Sequence, residues 1–375
     1  NTAVYSNSKN DYIWTQPDDS QKNIANGEVW RRANSRITDT NTFTDQLALT
    51  GKFNTGSFKH SFNVGAEYSD QESDKGSYTI TSNSGKVITG SHTTGACSLG
   101  IGAASDYWCT DAFNPNSKDP WLGNIAANKA VTTTTAQTTS VYLLDSIEFT
   151  PQWLLDLGVR WDKFETELKT NATGEKIEND TDFFSYQAGL TFKPAENGSI
   201  YASFATSANP VGVDAGDGSE TAVTAVNKDL DPEESRTFEI GTKWDLFNEK
   251  LNLTAAIFRT EKQNTRISLY VIITTNGGAS IVDVFFFLLN GNITDKWAVS
   301  AGYTYLDSES TKNGVSCRGT GATATCTDQT AYNGNVMPNV AKNSATLWTT
   351  YQVLPQLNLG VGAIAMDKVY GDLAN

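Results

Sequence analysis

The 375-residue chain is short of several things. It has only 2 His, too few for a multi-histidine metal enzyme, and 4 Cys. Positive charge is scarce: 28 Lys+Arg face 42 Asp+Glu, a formal net charge of −14. That balance argues against a nucleic-acid partner, which needs a basic stripe to displace counterions from phosphates. No apolar run approaches the roughly 18 residues of a transmembrane helix, so a helical membrane protein is excluded. Also missing are a nucleophile elbow, a His-Glu-x-x-His zinc motif, a Walker loop and a dinucleotide fingerprint, and no enzymatic activity is expected. His60 falls on an apolar strand face and His92 in a loop, and neither has an evident Ser–Asp partner set. The start, Asn1-Thr2-Ala3, carries neither Met nor signal peptide, which reads as a processed or partial chain.

What the chain has is alternation. From Phe58 to Tyr68 every second residue (Phe58, His60, Phe62, Val64, Ala66, Tyr68) suits an apolar medium. The pattern recurs in Leu155–Trp161, Phe184–Phe192, Phe238–Leu246, Leu251–Ile257, Trp297–Tyr305 and Leu357–Ala365. Period two is the mark of strands with one apolar and one polar face. None of these apolar faces contains Asp, Glu, Lys or Arg, whereas the opposite faces hold Lys59, Glu67, Asp156, Arg160, Glu239 and Lys243 and many glycines. A soluble sandwich seldom keeps such contrast over strands of about ten residues. In a membrane barrel, a charge facing lipid at the midplane costs about 2–4 kcal/mol, which explains the uncharged column. Arg160 reads as a lumen-wall residue, either paired with a nearby carboxylate or facing a plug domain.

Thirteen strands are expected: 2–16, 28–53, 58–80, 133–150, 153–169, 182–193, 198–208, 235–247, 250–267, 280–293, 296–310, 341–353 and 356–370. Short links such as Asn54-Thr55-Gly56 and Leu354-Pro355-Gln356 alternate with long polar ones at 81–132, 170–182, 208–234, 268–279 and 311–340. Outer-membrane barrels sort loop length in this way, with periplasmic turns short and extracellular loops long. The fold class is therefore all-β, a transmembrane antiparallel β-barrel. Tyr12, Trp14, Trp30, Trp153, Trp297 and Trp348 near strand ends are expected in interfacial girdles. The run Val282–Leu289 breaks the alternation, and no function is placed there.

Several stretches resemble TonB-dependent outer-membrane receptors of the catecholate siderophore type. They include Asn10–Pro17, Val29–Arg36, Tyr201–Phe204, Ile257–Lys262 and Ser344–Tyr351. The most specific is Asn227-Lys228-Asp229-Leu230-Asp231-Pro232-Glu233 followed by Phe238-Glu239-Ile240-Gly241-Thr242-Lys243-Trp244. The resemblance implies a 22-stranded barrel, of which residues 1–375 are a partial domain without plug or terminal strands. It also implies a bacterial outer-membrane location, a ferric siderophore as ligand, and the TonB complex as partner through an N-terminal region. Outer-membrane lipid and lipopolysaccharide would surround the wall. No cofactor is implied, iron arriving only within the ligand. A passive porin, or a receptor for a hydroxamate siderophore, haem or cobalamin, stands as the alternative.

A ferric tris-catecholate is bulky, aromatic and anionic, so aromatic surfaces and cationic donors above the pore are the candidate ligand contacts. They are Tyr107, Trp108 and Trp121, with Phe113, and Arg259 and Arg266, with Arg31, Arg32 and Arg318. Cys97 and Cys109 in one loop and Cys317 and Cys326 in another read as two local disulfides, since no Cys-x-x-Cys or neighbouring His suggests zinc. The acids Asp214, Asp217, Glu220, Asp229, Asp231, Glu233 and Glu234 lack ordered calcium-loop spacing and read as a solvated loop.

Overall fold

The computed structural model describes residues 1–18, 23–81, 109–116, 124–213, 223–270, 273–318 and 325–374. Thirteen strands form one antiparallel sheet in chain order: β1 (Thr2–Asp18), β2 (Glu28–Thr55), β3 (Phe58–Thr81), β5 (Asn124–Thr150), β6 (Trp153–Thr170), β7 (Lys176–Ala195), β8 (Gly198–Asn209), β9 (Glu233–Leu246), β10 (Leu251–Tyr270), β11 (Ile273–Thr294), β12 (Trp297–Lys312), β15 (Asn343–Leu354) and β16 (Leu357–Met366). Three short strands, β4 (Cys109–Asp111), β13 (Val315–Arg318) and β14 (Thr325–Asp328), lie off this path. Among the described residues no helix is long and apolar enough to cross a membrane. Each expected strand is present. The links are shorter than expected: β5 begins at Asn124, β7 at Lys176 and β11 at Ile273, because cross-strand pairing carries polar sequence into the sheet above the apolar band. The β10–β11 ladder reaches Tyr270↔Ile273 through bulges after Lys262.

Register sorts the side chains. Val64, Leu143 and Val159 are direct neighbours across β3, β5 and β6, as are Ile240, Ile257 and Phe285 across β9, β10 and β11. These belong to the outer face and are exposed there. The opposite face turns Glu67, Ser140, Arg160 and Ser185 into the lumen. About ten residues span the bilayer, so β2, β3 and β5, at 28, 24 and 27 residues, project more than half their length beyond it. Trp153 stacks on Phe192 with centroids 4.5 Å apart beside a short turn, as a girdle residue should. Trp348 does not: it lies on the lumen face, packed over Gly360 and Gly362. Tyr12 and Trp14 pair with Arg36 and Asn34, far above the band.

Val282–Leu289 pairs without interruption, Val282↔Thr260 through Leu289↔Leu253 on one side and Val282↔Ser308 through Leu289↔Ala301 on the other. Alternation fails there because both faces are apolar. On the lumen side Val284 meets Phe258 and Leu306, and Phe286 meets Ala256 and Thr304, while Phe285 and Phe287 face outward.

The lumen glycines have a packing reason. A Cβ on Gly65 would sit 2.5 Å from the Tyr142 ring and 2.8 Å from the Leu47 carbonyl, and one on Gly241 would sit 2.5 Å from Tyr201. Aromatic rings thus lie flat over bare backbone, covering it where no side chain does. A Cβ on Gly189 would meet nothing closer than 3.8 Å. Gly65→Val is expected to lower the stability of the refolded barrel by about 1–3 kcal/mol through overpacking. Gly189→Ala is expected to stay within about 0.5 kcal/mol of the parent. Urea midpoints in detergent micelles measure both.

Candidate functional site

Two clusters on the lumen side are built for polar work. At mid-wall Arg160 reaches Glu67 at 3.1 Å and Asp162 at 2.8 Å, and donates to the Ser140 hydroxyl at 2.7 Å. Ser140 donates to Asp162 at 2.6 Å, and Gln46 donates to the Tyr142 hydroxyl at 3.0 Å. Arg160, Gln46 and Tyr142, together with Asn63 and Gln187, line a cavity of about 410 Å³. The guanidinium is neutralised by Asp162 on its own strand and by Glu67 on β3, two strands away, so this stretch of wall is hydrophilic without being cationic.

The second cluster lies at the rim. Glu233, at the far end of β9 from its short turn, is 7% exposed. Its carboxylate accepts from the Lys262 ammonium at 2.8 Å, the Arg266 backbone amide at 2.9 Å and the Asn209 side-chain amide at 3.3 Å. The Arg266 guanidinium donates to the Asn209 carbonyl at 2.8 Å. A bulge in β10 after Lys262, with Asn264 at φ 54°, re-aims the chain so that both Lys262 and the Arg266 amide reach one acid. Asn276 clamps the preceding residue, accepting from the Asp231 amide and donating to its carbonyl. Burial alone would raise the Glu233 pKa, but Lys262 and the Arg266 amide outweigh it and hold the carboxyl below its usual value.

This clasp anchors the described residues on either side of it, 210–213 and 223–232, against the lumen side of the wall. Val211 and Val223 are fully buried, and the Asn179 amide donates to the Lys228 carbonyl at 2.6 Å. Gly212, at φ +84°, sits where a Cβ would lie 2.8 Å from the Thr166 side chain. Below it Phe164, Ala136 and Phe183 form an apolar cluster. A second segment folds over the top of β12, where the Gly334 amide donates to Ser310 and the Met337 amide to the Ser308 hydroxyl.

The sequence-derived candidates separate. Tyr107, Trp108 and Trp121, with Cys97 and His92, lie outside the described residues, as do Asp214, Asp217 and Glu220. Arg266 is half-buried at the rim clasp. Arg259, a candidate cation near the extracellular strand ends, is placed on the outer face of the wall. It lies opposite Phe238 and Asp283 on the outer face, held by the Asp283 carboxylate through two bonds of 2.7 Å, because its parity matches Ile257. Cys109 lies in β4. Cys326 is disulfide-bonded, and Cys317 stands directly opposite it in the β13–β14 ladder. Phe113 is exposed beside Asp111, whose carboxylate accepts from the Asn114 and Phe113 amides, which lower its pKa. His60 bonds Asp145 at 2.7 Å and stacks on Phe53 on the outer face, with no hydroxyl at its other nitrogen, so no triad forms. Among the described residues no group of three or more His, Cys, Asp or Glu could hold a metal. The clasp itself went unread in the sequence, although the Asp231-Pro232-Glu233 run was its signal.

Residues 1–375 match the family model described as TonB dependent receptor-like, beta-barrel. The chain belongs to this family. The TonB-dependent receptor barrel is 58% identical to the probable TonB-dependent siderophore receptor PiuA of Acinetobacter baumannii, over 100% of this chain and 50% of that protein. It is 26% identical to the catecholate siderophore receptor Fiu of Escherichia coli K12, over 97% of this chain and 47% of that one. The crystal structure of PiuA superposes with a TM-score of 0.92, covering 100% of this chain and 52% of PiuA. The closed form of Fiu superposes with a TM-score of 0.73 at 24% identity, covering 96% and 50%, a likeness of fold alone. The chain thus spans about half the length of these relatives.

Because the folded pKa of Glu233 is lowered, the clasp's contribution is complete above the usual glutamate value of about 4.3 and is lost as pH falls through the lower folded value. Limited proteolysis between Asn209 and Glu233 is therefore expected to stay constant from neutral pH to about 5 and to rise in stronger acid. Glu233→Gln should raise cleavage at neutral pH and flatten the profile.

Proposed function

We propose that this chain is wall and rim of an outer-membrane receptor that imports ferric siderophores, most readily those of catecholate type, using energy delivered by the TonB complex. The observation that carries this reading is a polar lumen face whose extracellular end holds segments clasped inward, through Glu233 and along Ser308 and Ser310. A passive porin leaves its channel open to water. Segments clasped inward at the mouth suit capture from outside followed by driven passage. That PiuA is a probable siderophore receptor and Fiu a catecholate siderophore receptor supports the ligand class. Iron enters as part of the ligand, no cofactor is needed, and the receptor carries out no covalent chemistry.

In this reading Tyr107, Trp108 and Trp121 offer aromatic surface to the catechol rings. Arg266 acts at the rim, tying the Asn209 carbonyl to the strand that carries Lys262. Arg259 has no part in binding, since it faces the membrane side of the wall.

Titration of the full-length receptor in detergent with a ferric catecholate, followed by Trp fluorescence, tests this. Saturable quenching by the catecholate and not by a ferric hydroxamate is expected. Arg266→Ala should weaken the catecholate about tenfold, the effect of losing about 1.4 kcal/mol of a charge-assisted hydrogen bond. Arg259→Ala should leave it unchanged. Quenching only by the hydroxamate would replace the ligand, and ion conductance without any quenching would favour a porin.

A further inference from the structure

The wall has a seam that stops halfway. β7 and β8 pair from Ala195↔Gly198 up to Gln187↔Ala205, and the Tyr186 amide then donates to the Thr206 hydroxyl at 2.9 Å. Above that point β7 continues to Lys176 with β6 as its one neighbour among the described strands, while β8 stays with β9. The split arises because the chain leaving β8 turns inward, where Gly212 packs on Thr166 and Lys228 meets Asn179.

The direction of the Tyr186 amide fixes the parity of the released edge. The amides and carbonyls of Glu178, Asp180, Asp182 and Phe184 point the same way, and among the described residues they have no backbone partner on that side. The side chains of these four residues share the outer face and are exposed. The free edge thus presents three carboxylates at alternate positions and ends in Phe184 and Tyr186, stacked 6.1 Å apart. Beside it a cavity of about 870 Å³ separates β7 from β8 and β9, with Glu234, Glu261 and Arg236 on its far wall. Arg236 is itself 3.6 Å from Glu234. The donors that reach the acid ladder come from the β6 side, Lys163 to Asp180 at 3.5 Å and the Trp161 indole to Asp182 at 3.1 Å.

We propose that this edge accepts an added strand: an extended peptide segment with basic side chains at alternate positions and an aromatic residue at the end that meets Phe184 and Tyr186. Main-chain hydrogen bonds to a free edge supply affinity, and alternate side chains supply specificity. Directly opposed side chains in an antiparallel ladder lie about 4.5–5.5 Å apart, close enough for each Lys or Arg to answer Glu178, Asp180 and Asp182. The acids that discourage neutral or acidic strands from pairing at an exposed edge select for a basic one.

The probe is a fluorescein-labelled Phe-Thr-Lys-Thr-Lys-Thr-Lys peptide, which in antiparallel register sets Phe against Phe184 and the three Lys against Asp182, Asp180 and Glu178, added to the full-length receptor in detergent at physiological ionic strength. Its control is the same peptide N-methylated on the edge-facing amides, which keeps the charge and removes the donors. Strand addition predicts saturable anisotropy for the first peptide and binding at least about tenfold weaker for the second, as loss of two or more hydrogen bonds requires. Only the first should slow amide exchange at 178–184. The double change Asp180→Lys and Asp182→Lys should lower affinity by about tenfold or more while amide exchange in the lower wall stays as in the parent. Equal binding of both peptides would reduce the effect to attraction by a chain of net charge −14 and overturn the proposal. Protection elsewhere, a co-purified lipid filling the cavity, or no binding would overturn it as well.

Discussion

Backbone hydrogen bonding in a medium without water is the constraint from which the rest of this molecule follows. Inside the hydrocarbon layer every amide and carbonyl of a strand must find a partner on the next strand, so wall strands pair on both edges and run antiparallel through short turns. Thirteen strands follow one another in chain order for that reason. Pairing in turn fixes side-chain parity, and parity divides each strand into a face that meets lipid and a face that meets the lumen. The Arg160 cluster and the glycines covered by Tyr142 and Tyr201 belong to the second face.

Above the bilayer the constraint relaxes, and the strands use the freedom. Residue 206 is where β8 stops following β7; β8 stays with β9 to Asn209, and the chain beyond turns inward. Holding that turn takes a buried carboxylate with three donors, drawn from β10 and the end of β8. The bulge after Lys262 makes this geometry possible, so an irregularity in one ladder anchors the inward segment that another strand supplies. The inward-clasped segment and the free edge of β7 are two consequences of the same departure.

Much of this was legible in the sequence. The seven alternating stretches located wall strands because lipid tolerates no charge on one face, and Arg160 was legible as a lumen residue through the same parity. The extents of the links were not, since β7 and β11 begin in polar sequence that only cross-strand pairing makes extended. The face of Arg259 was not legible for a related reason: above the apolar band charges occupy both faces, and composition no longer tells inside from outside. Val282–Leu289 hid its register because Phe258 and Leu306 make the lumen locally apolar. The Glu233 clasp was out of reach because its partners are separated by a bulge that no local pattern announces. The Asp231-Pro232-Glu233 run marked the place without revealing the role.

The central claim is that parity along a strand separates lipid from lumen. Single cysteines introduced in turn at each position from Leu155 to Asp162, labelled with a polarity-sensitive fluorophore in the full-length receptor in bilayers, test it most directly. The odd positions Leu155, Leu157, Val159 and Trp161 should be quenched by a lipid-phase quencher and shielded from an aqueous one, with the even positions reversed. A uniform response along the segment, or alternation of the opposite sense, would contradict it.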